Sequence, residues 1–388
     1  MQASSMMLLA VKGLLVASVP LAMVYVSRDA NKYRKLVWLT VFLTFDLILF
    51  GAFTRLTDSG LGCPDWPGCY GAANPFLAHA DIKAAEALMP TGPVTVVKAW
   101  IEMLHRYFAM GIGCLCIAIM ATAWIQWRKT RRAAFAPALP SALLLLVMVV
   151  GAFGAWTVTL KLQPVIVTIH LLLGMSLLSL LVWMGSRQDQ LLKPAPDAVV
   201  VFGLRALALA SAALLALQIA LGGWVSTNYA TLACLDFPLC GGKVVPEMDF
   251  AHGFTLWREL GMTAGGEYLP FSALTAIHWV HRNFAFVVIG VLGWTAWRAR
   301  ATPALRPVAR YIGLVLAAQF ASGVATVYLN FPLAIAVLHN AGAALLVLLV
   351  TMLNYKLRYM INPQAATLPA AAPGAPASSP ILSARPHP

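Results

Sequence analysis

Long runs of apolar residues separated by short polar segments dominate this sequence. About 20 consecutive apolar residues are enough for an α-helix to cross the hydrocarbon core of a bilayer. Stretches of roughly this length lie at residues 6–26, 36–54, 98–127, 138–159, 164–185, 200–226, 272–297, 308–329 and 331–355. The pattern therefore predicts an all-α polytopic membrane protein with about nine transmembrane helices.

Composition and charge placement agree with this prediction. The chain is 60% hydrophobic and 11% charged, whereas soluble domains carry about 25% charged residues. The net charge is +13, and clusters of Lys and Arg at 28–35, 128–132, 187–205, 298–310 and 356–358 fall on alternate connections, which marks those connections as cytoplasmic. The N-terminus and the loops 55–97 and 227–271 are then outside, and the C-terminus is cytoplasmic. Nucleic-acid binding is disfavoured, because no basic stripe with interleaved aromatic residues lies on a soluble domain.

The first apolar stretch has two interpretations. It carries Lys12 in its interior, lacks a clear cleavage site of small residues, and is followed by a basic segment from Arg28 to Lys35. These features favour a retained helix over a cleaved signal peptide, which is the alternative.

The two halves of the chain resemble each other. Residues 51–69 and 222–240 both begin with Gly and end in Cys-x-Asp-aromatic-Pro-x-Cys. Histidines then recur at matching positions in the second and fourth spans of each half: His105 and His281, each followed by Arg, and His170 and His339, each sixteen residues after a Gly. Four spans per half is an even number, so the halves share one orientation. We expect a pseudo-twofold axis along the membrane normal.

The repeat divides the chain into four parts. Residues 1–35 form an extra N-terminal helix and a basic loop, 36–190 the first half, and 191–360 the second half. Residues 361–388 are rich in Ala, Pro and Ser, and we expect this tail to be disordered. The predicted fold is thus two pseudo-twofold-related four-helix bundles plus one extra N-terminal helix.

The four histidines point to heme. They lie at similar depth near the outer ends of their spans, where ionisable residues are costly and indicate a functional site. Two imidazoles that face each other across a four-helix bundle form an axial pair for heme iron. We therefore expect one heme between His105 and His170 and another between His281 and His339. A helix–helix hydrogen bond is the alternative for any single histidine. Zinc or copper is disfavoured, because no third ligand type recurs.

Charged residues distinguish the two halves. Arg106 and Arg282 directly follow their histidines and suit heme propionates. Only the first half places a carboxylate, Glu102, and an additional arginine, Arg55, near its expected heme site. A carboxylate beside a heme edge can take protons or stabilise developing positive charge, so the first half is the predicted reaction site. The alternative for Glu102 is a wetted residue at a helix end.

Cysteines lie in both outer loops. Cys63 with Cys69, and Cys234 with Cys240, are expected to form disulfides on the oxidising side of the membrane. A redox role for the first pair and zinc binding through all four thiolates are the alternatives. No C-x-x-C-H motif is present, so covalent heme attachment is not indicated.

These motifs resemble the heme A synthases. The resemblance covers about residues 36–356 and rests on the stretch TRLTDSGLGCPDW, on Glu102 with His105-Arg106, and on His170, His281-Arg282 and His339. The extra first helix resembles a variant of some proteobacterial members. The family oxidises a porphyrin methyl group of heme O to a formyl group, which gives heme A for cytochrome oxidase.

The resemblance also implies roles for individual residues. His105 and His170 would hold the substrate heme O, with Glu102 as the functional carboxylate. A prosthetic heme b would lie between His281 and His339, and Cys63 with Cys69 matches the pair associated with the reaction.

Partners and location follow from the same resemblance. It implies a multi-pass protein of the inner (plasma) membrane that receives heme O from the synthase that makes it and interacts with an unidentified electron donor. Whether the chain forms a homo-oligomer is left open. A diheme b-type electron-transfer protein and a heme carrier are the competing interpretations.

Overall fold

A computed structural model describes residues 2–191 and 202–361. Within these ranges the chain forms α-helices, short 3₁₀ turns and loops, with three isolated β-bridges and no strand. Apart from Ile361, the last residue of the final helix, the tail that we expect to be disordered lies outside the described residues.

Nine helices of the described chain are long and apolar enough to cross a membrane, which confirms the predicted spans. The remaining two, α3 and α8, lie in the long connections between α2 and α4 and between α7 and α9. The helices are α1 (Gln2–Val26), α2 (Lys32–Leu56), α3 (His79–Leu88), α4 (Val96–Thr130), α5 (Ala138–Thr159), α6 (Pro164–Gln190), α7 (Phe202–Thr227), α8 (Phe250–Gly253), α9 (Phe271–Ala299), α10 (Arg306–Tyr328) and α11 (Leu333–Ile361).

Local sequence fixes where the helices of the first histidine pair begin. The side chain of Thr95 accepts a hydrogen bond from the backbone N–H of Lys98 and so caps α4, ten residues before His105. Pro164 occupies the first turn of α6, where its fixed φ suits the helix and its missing N–H is not needed. Each histidine thus lies within the first three turns of its helix, His105 nine residues after Val96 and His170 six residues after Pro164.

The eight helices of the repeat pack as two closed rings. In the first half α2 contacts α4, α4 contacts α5, α5 contacts α6, and α6 returns to α2; α7, α9, α10 and α11 form the same ring in the second half. The halves meet where α2 contacts α11, α6 contacts α7, and α6 contacts α11. The first two of these contacts are equivalent under exchange of the halves, as a pseudo-twofold axis requires. The residue boundaries assigned to the halves stay a prediction.

Helix α1 packs outside the first ring, mainly along α4. The two helices approach closely at two glycines: a Cβ at Gly13 would lie 2.8 Å from Met110 Cβ, and one at Gly111 would lie 2.6 Å from Val16 Cγ1. Lys12 donates hydrogen bonds to the carbonyl oxygen of Ala73 at 2.8 Å and to the hydroxyl of Tyr107 at 3.1 Å. The close crossing at two glycines and the hydrogen bonds of the half-buried Lys12 favour the retained-helix interpretation of α1.

Enlarging Gly111 is predicted to separate α1 from α4. Gly111→Leu places a side chain where Val16 already packs, and overpacking of this kind costs about 1–3 kcal/mol. We expect a lower unfolding temperature of the purified protein in detergent. Gly113→Leu is the matched control on the same helix, because a Cβ there meets nothing within 4 Å. Equal unfolding temperatures for the two variants would contradict the close crossing.

Candidate functional site

Each of the four predicted histidines packs against a glycine on a neighbouring span. A Cβ on that glycine would approach the imidazole Cε1 to 3.0 Å for Gly51 and His105, 3.2 Å for Gly154 and His170, 2.9 Å for Gly222 and His281, and 3.1 Å for Gly323 and His339. The glycines that mark the repeat in the sequence are thus the surfaces on which the rings lie. No larger residue fits at these positions unless the ring moves.

The histidines pair within each half. His105 on α4 and His170 on α6 lie on diagonally opposite helices of the first ring, and His281 on α9 and His339 on α11 occupy the same places in the second ring. All four are partly accessible, so the imidazoles are neither sealed in the packed core nor spread over the lipid-facing surface. The described residues contain no group of three or more His, Cys, Asp or Glu side chains that could hold a metal ion. Paired imidazoles without a third ligand suit a porphyrin iron, whose remaining ligands come from the macrocycle.

Both predicted cysteine pairs form disulfides, Cys63–Cys69 and Cys234–Cys240. The free cysteines in the described chain are Cys114 and Cys116, inside α4. The four-thiolate zinc site considered from the sequence is therefore wrong.

The two disulfide loops fold in the same way around an aspartate. Asp65 accepts hydrogen bonds from the backbone N–H groups of Tyr70 at 2.6 Å and Gly71 at 2.7 Å. Asp236 accepts the equivalent bonds from Gly241 at 2.7 Å and Gly242 at 2.8 Å. These N–H donors, Gly242 first, lower the pKa of the Asp236 carboxyl below its usual value. The Asp of the Cys-x-Asp motif thus closes the turn on which the second cysteine sits.

An arginine ties each loop to the helix that carries the adjacent histidine. Arg106 donates hydrogen bonds to the carbonyl oxygens of Asp65 at 3.1 Å, Pro67 at 3.2 Å and Gly68 at 2.6 Å.

Arg282 repeats this arrangement in the second half. It donates to the carbonyl oxygens of Asp236 at 2.7 Å, Leu239 at 2.7 Å and Cys234 at 3.3 Å. Propionate pairing by Arg106 and Arg282 stays a prediction; in this structure the two guanidinium groups anchor the disulfide loops.

Glu102 joins the first loop to the first histidine helix. It is 4% exposed, so its interpretation as a wetted residue at a helix end is wrong. Its carboxylate accepts a hydrogen bond from the backbone N–H of Cys63 at 2.8 Å and is ion-paired with Arg106. The second half has His278 in place of this residue, so only the first half contains this buried carboxylate. Glu102 lies three residues before His105 and is held in position by the loop above it.

Arg55 lies where the two halves meet. It donates hydrogen bonds to the backbone oxygen of Ser226 at 2.7 Å, to the Tyr229 hydroxyl at 3.1 Å and to the Asp58 carboxylate at 3.1 Å. The Tyr229 hydroxyl in turn donates to Asp58 at 2.7 Å. When Gly51 is aligned with Gly222, Arg55 corresponds to Ser226 and Asp58 to Tyr229. Both contacts therefore join equivalent positions across the pseudo-twofold axis.

The sequence analysis missed three polar residues beside the second histidine pair. The amide nitrogen of Gln218 lies 3.2 Å from Nδ1 of His281. The Ser322 hydroxyl lies 2.9 Å from Nδ1 of His339, and the Gln319 amide nitrogen lies 3.2 Å from its Nε2.

The corresponding residues of the first half are apolar. Gln218 lies four residues before Gly222, and Leu47 lies four residues before Gly51. Ser322 and Gln319 lie one and four residues before Gly323. Phe153 and Val150 lie at the same distances before Gly154. These three polar residues could have been identified from the sequence by comparing the two halves at equal distances from the repeated glycines.

Comparison with known proteins relates this geometry to a family. Residues 34–351 match the family described as COX15-CtaA, cytochrome oxidase assembly protein. A heme A synthase from Shewanella oneidensis is 39% identical over 324 residues, which cover 83% of this chain and 96% of that protein. A heme A synthase from Methylobacterium radiotolerans is 29% identical over 348 residues, which cover 84% of this chain and 90% of that protein.

These matches confirm the resemblance drawn from the histidines, the cysteine loops and Glu102. Because they extend from the second span into the last and so include both halves, this chain belongs to the heme A synthase family, COX15-CtaA.

Proposed function

We propose that this chain oxidises the porphyrin methyl group of heme O to a formyl group, and that the reaction takes place in the first half. Heme O lies between His105 and His170 in this proposal, and a permanent heme b lies between His281 and His339. The observation that carries the proposal is one difference between two similar histidine sites: only the first has a buried carboxylate beside it, Glu102.

The first histidine pair suits a substrate porphyrin. His105 and His170 lie on the glycine surfaces of α2 and α5, so their rings are directed by packing rather than by side-chain hydrogen bonds. Heme O is hydrophobic, and entry from the bilayer between helices would suit both its solubility and the lipid surroundings of this half. Coordination by two imidazoles fixes the plane of the macrocycle and hence the position of its edge.

Glu102 is the residue that acts at this edge. Conversion of a methyl to a formyl group takes four electrons in all (RCH3 + H2O → RCHO + 4 H+ + 4 e−), and an external electron-transfer partner would have to accept them. The reaction passes through hydroxylated carbon, and a geminal diol loses water to give the aldehyde. A carboxylate near that carbon can accept the protons released and stabilise developing positive charge. Arg106 and the Cys63 N–H hold the carboxylate in one orientation, which a base needs if it is to act on one substituent.

His281 and His339 would hold heme b in the second half. Heme b would supply one-electron redox chemistry there. The two halves contact each other through α6, α7 and α11, so both sites belong to one packed body.

The disulfide of the first loop has a structural role in this proposal. Cys63–Cys69 closes the loop whose backbone N–H binds Glu102 and whose carbonyl oxygens bind Arg106. Reduction of this disulfide would release the loop. The redox state of Cys63 and Cys69 would then affect the reaction by changing the position of the Glu102 carboxylate.

The chain is a multi-pass membrane protein, and we assign it to the inner membrane. The disulfide loops then face outward with the N-terminus, and the basic loops face the cytoplasm with the C-terminus. Its partners are the synthase that supplies heme O and an electron-transfer partner.

Extraction of the pigments tests the proposed function. Cells that express this chain together with a heme O source should accumulate heme A, and the purified protein should also contain heme b. Heme b alone would instead identify a diheme electron-transfer protein. Unchanged heme O bound to the protein would identify a carrier.

Glu102→Gln is predicted to abolish heme A formation while heme b stays bound. The amide oxygen still accepts the bond from the Cys63 N–H, but the base is lost, and general-base catalysis contributes roughly 10²–10⁴-fold. Chromatography of the extracted hemes measures the ratio of heme A to heme O. Glu86→Gln is the control, since that carboxylate pairs with Lys83 on α3, in the outer loop. Full conversion by the Glu102 variant would remove this residue from the mechanism.

Replacing either histidine of the second pair is predicted to remove heme b. His281→Ala and His339→Ala each delete one axial ligand, so the low-spin absorption of heme b should be lost from the purified protein. His105→Ala and His170→Ala serve as matched controls and should keep that absorption but fail to convert heme O. If the low-spin absorption survives in both second-half variants, the two hemes are assigned to the wrong halves.

A further inference from the structure

We propose that a basic cavity in the second half, at the end of the helices remote from the histidines, binds the headgroup of an anionic phospholipid. The cavity has a volume of about 830 Å³ and lies where α9 ends and α10 begins. Ligand pockets in proteins commonly have volumes of this order. Four arginines and two tryptophans line it: Trp294, Trp297, Arg298, Arg300, Arg306 and Arg310.

This cavity is separate from the histidine sites. Trp294 lies thirteen residues after His281 on α9, which at 1.5 Å per residue is about 20 Å along the helix. Both α9 and α10 are long and apolar enough to span a membrane. The short connection between two such spans lies at a membrane surface, so the cavity faces lipid headgroups.

The arginines of the cavity have no acidic partner. None of the helices of the second ring contains Asp or Glu, and Glu267 is the last acidic residue of the sequence. All four arginines are exposed, and none forms a salt bridge with another described residue. The Nε of Arg306 donates a hydrogen bond to the backbone oxygen of Arg300 at 3.2 Å, which neutralises no charge. Four neighbouring positive charges without a counter-charge attract an anion from outside the chain.

Two exposed indoles form the apolar side of the cavity. Trp294 and Trp297 are 51% and 53% exposed, and their rings stack with centroids 4.8 Å apart. Tryptophan is enriched at membrane surfaces, where its ring meets the region between headgroups and acyl chains. A ligand with a phosphate for the arginines and acyl chains for the indoles matches this lining.

The first half has the same motif with its cations already engaged. Helices α4 and α9 both carry Trp-x-x-Trp-Arg, which starts at Trp124 in one and at Trp294 in the other. The guanidinium carbon of Arg128 lies 5.5 Å from the ring centroid of Trp124, and that of Arg131 lies 4.3 Å from the centroid of Trp127. In the part of the second half that the structure describes, no cation lies over either indole of α9. The arginines of the second half therefore stay available for a ligand.

The chemistry of the lining selects the class of lipid. Guanidinium groups bind phosphate oxygens in a bidentate geometry, and basic pockets between transmembrane helices bind headgroups such as that of cardiolipin. Phosphatidylethanolamine brings its own ammonium group and would leave the arginine charges uncompensated. Cardiolipin carries two phosphates on one headgroup and compensates more of these charges than a lipid with one. We therefore expect cardiolipin to bind most tightly, followed by phosphatidylglycerol.

General membrane anchoring predicts a different result. Basic and aromatic residues are common at the ends of membrane spans, and basic clusters attract anionic bilayers without a defined site. If this attraction were the whole explanation, the basic residues at 128–132 in the first half would contribute to lipid binding as strongly as those of the cavity.

The test measures lipid binding to the full-length protein in neutral detergent by native mass spectrometry during titration with cardiolipin. The main variant is Arg298→Gln/Arg310→Gln, because these guanidinium groups are exposed and form no hydrogen bond within the described chain. A cation near an anionic lipid contributes about fivefold to affinity, so we expect about 25-fold weaker binding in the double variant and about fivefold in each single variant. Arg128→Gln/Arg131→Gln removes the same charge from the matching motif and should bind cardiolipin as the wild-type protein does.

Three outcomes would overturn the proposal. Equal loss of affinity in the two double variants would leave general electrostatic attraction as the explanation. Equal affinity of the wild-type protein for phosphatidylethanolamine would show that the arginines do not select the lipid. Displacement of cardiolipin by inorganic phosphate at an equal concentration would identify a site for a soluble anion. None of these measurements involves heme, so their result is independent of the proposed function.

Discussion

The packing of four imidazole rings against four glycines is the constraint on which the rest of the structure depends. The histidines and the glycines lie on neighbouring spans, and a Cβ on any of these glycines would come within 2.9–3.2 Å of an imidazole carbon. Each contact therefore sets both the distance between two helices and the direction of one ring. Because the contact occurs twice in each half, it sets the spacing of two of the four helix pairs in each ring, α2 with α4 and α5 with α6 in the first half.

The two disulfide loops are held in place by the same helices that carry His105 and His281. Arg106 and Arg282 directly follow His105 and His281, so each loop that they bind is held relative to a ring that is already fixed. In the first half the same loop binds Glu102 through the Cys63 N–H. The disulfide, the arginine, the carboxylate and the histidine form one unit in which no group moves independently. The second half has the loop and the arginine but not the carboxylate.

The sequence predicts the spans, the repeat, the histidine pairs and the disulfides because each of these leaves a periodic or duplicated signal. Hydrogen-bond partners leave no such signal. That Arg106 binds loop carbonyl oxygens depends on how the loop folds around Asp65, and the burial of Glu102 depends on the same loop covering it. Gln218 was overlooked for another reason, since one polar residue in an apolar span gives no indication of which neighbouring helix it faces.

The contacts at the pseudo-twofold axis bear on how such a chain arises. Arg55 contacts the backbone of its own counterpart, Ser226, and Asp58 contacts its counterpart, Tyr229. Tyr229 occupies the position that a second Asp58 would occupy in a symmetric dimer of two identical half-chains, and its hydroxyl donates to the Asp58 carboxylate at 2.7 Å. Two carboxylates at this distance would repel each other, so the fused chain has a donor–acceptor pair where strict symmetry would place two acceptors. The covalent link between the halves lets each member of such a pair change alone.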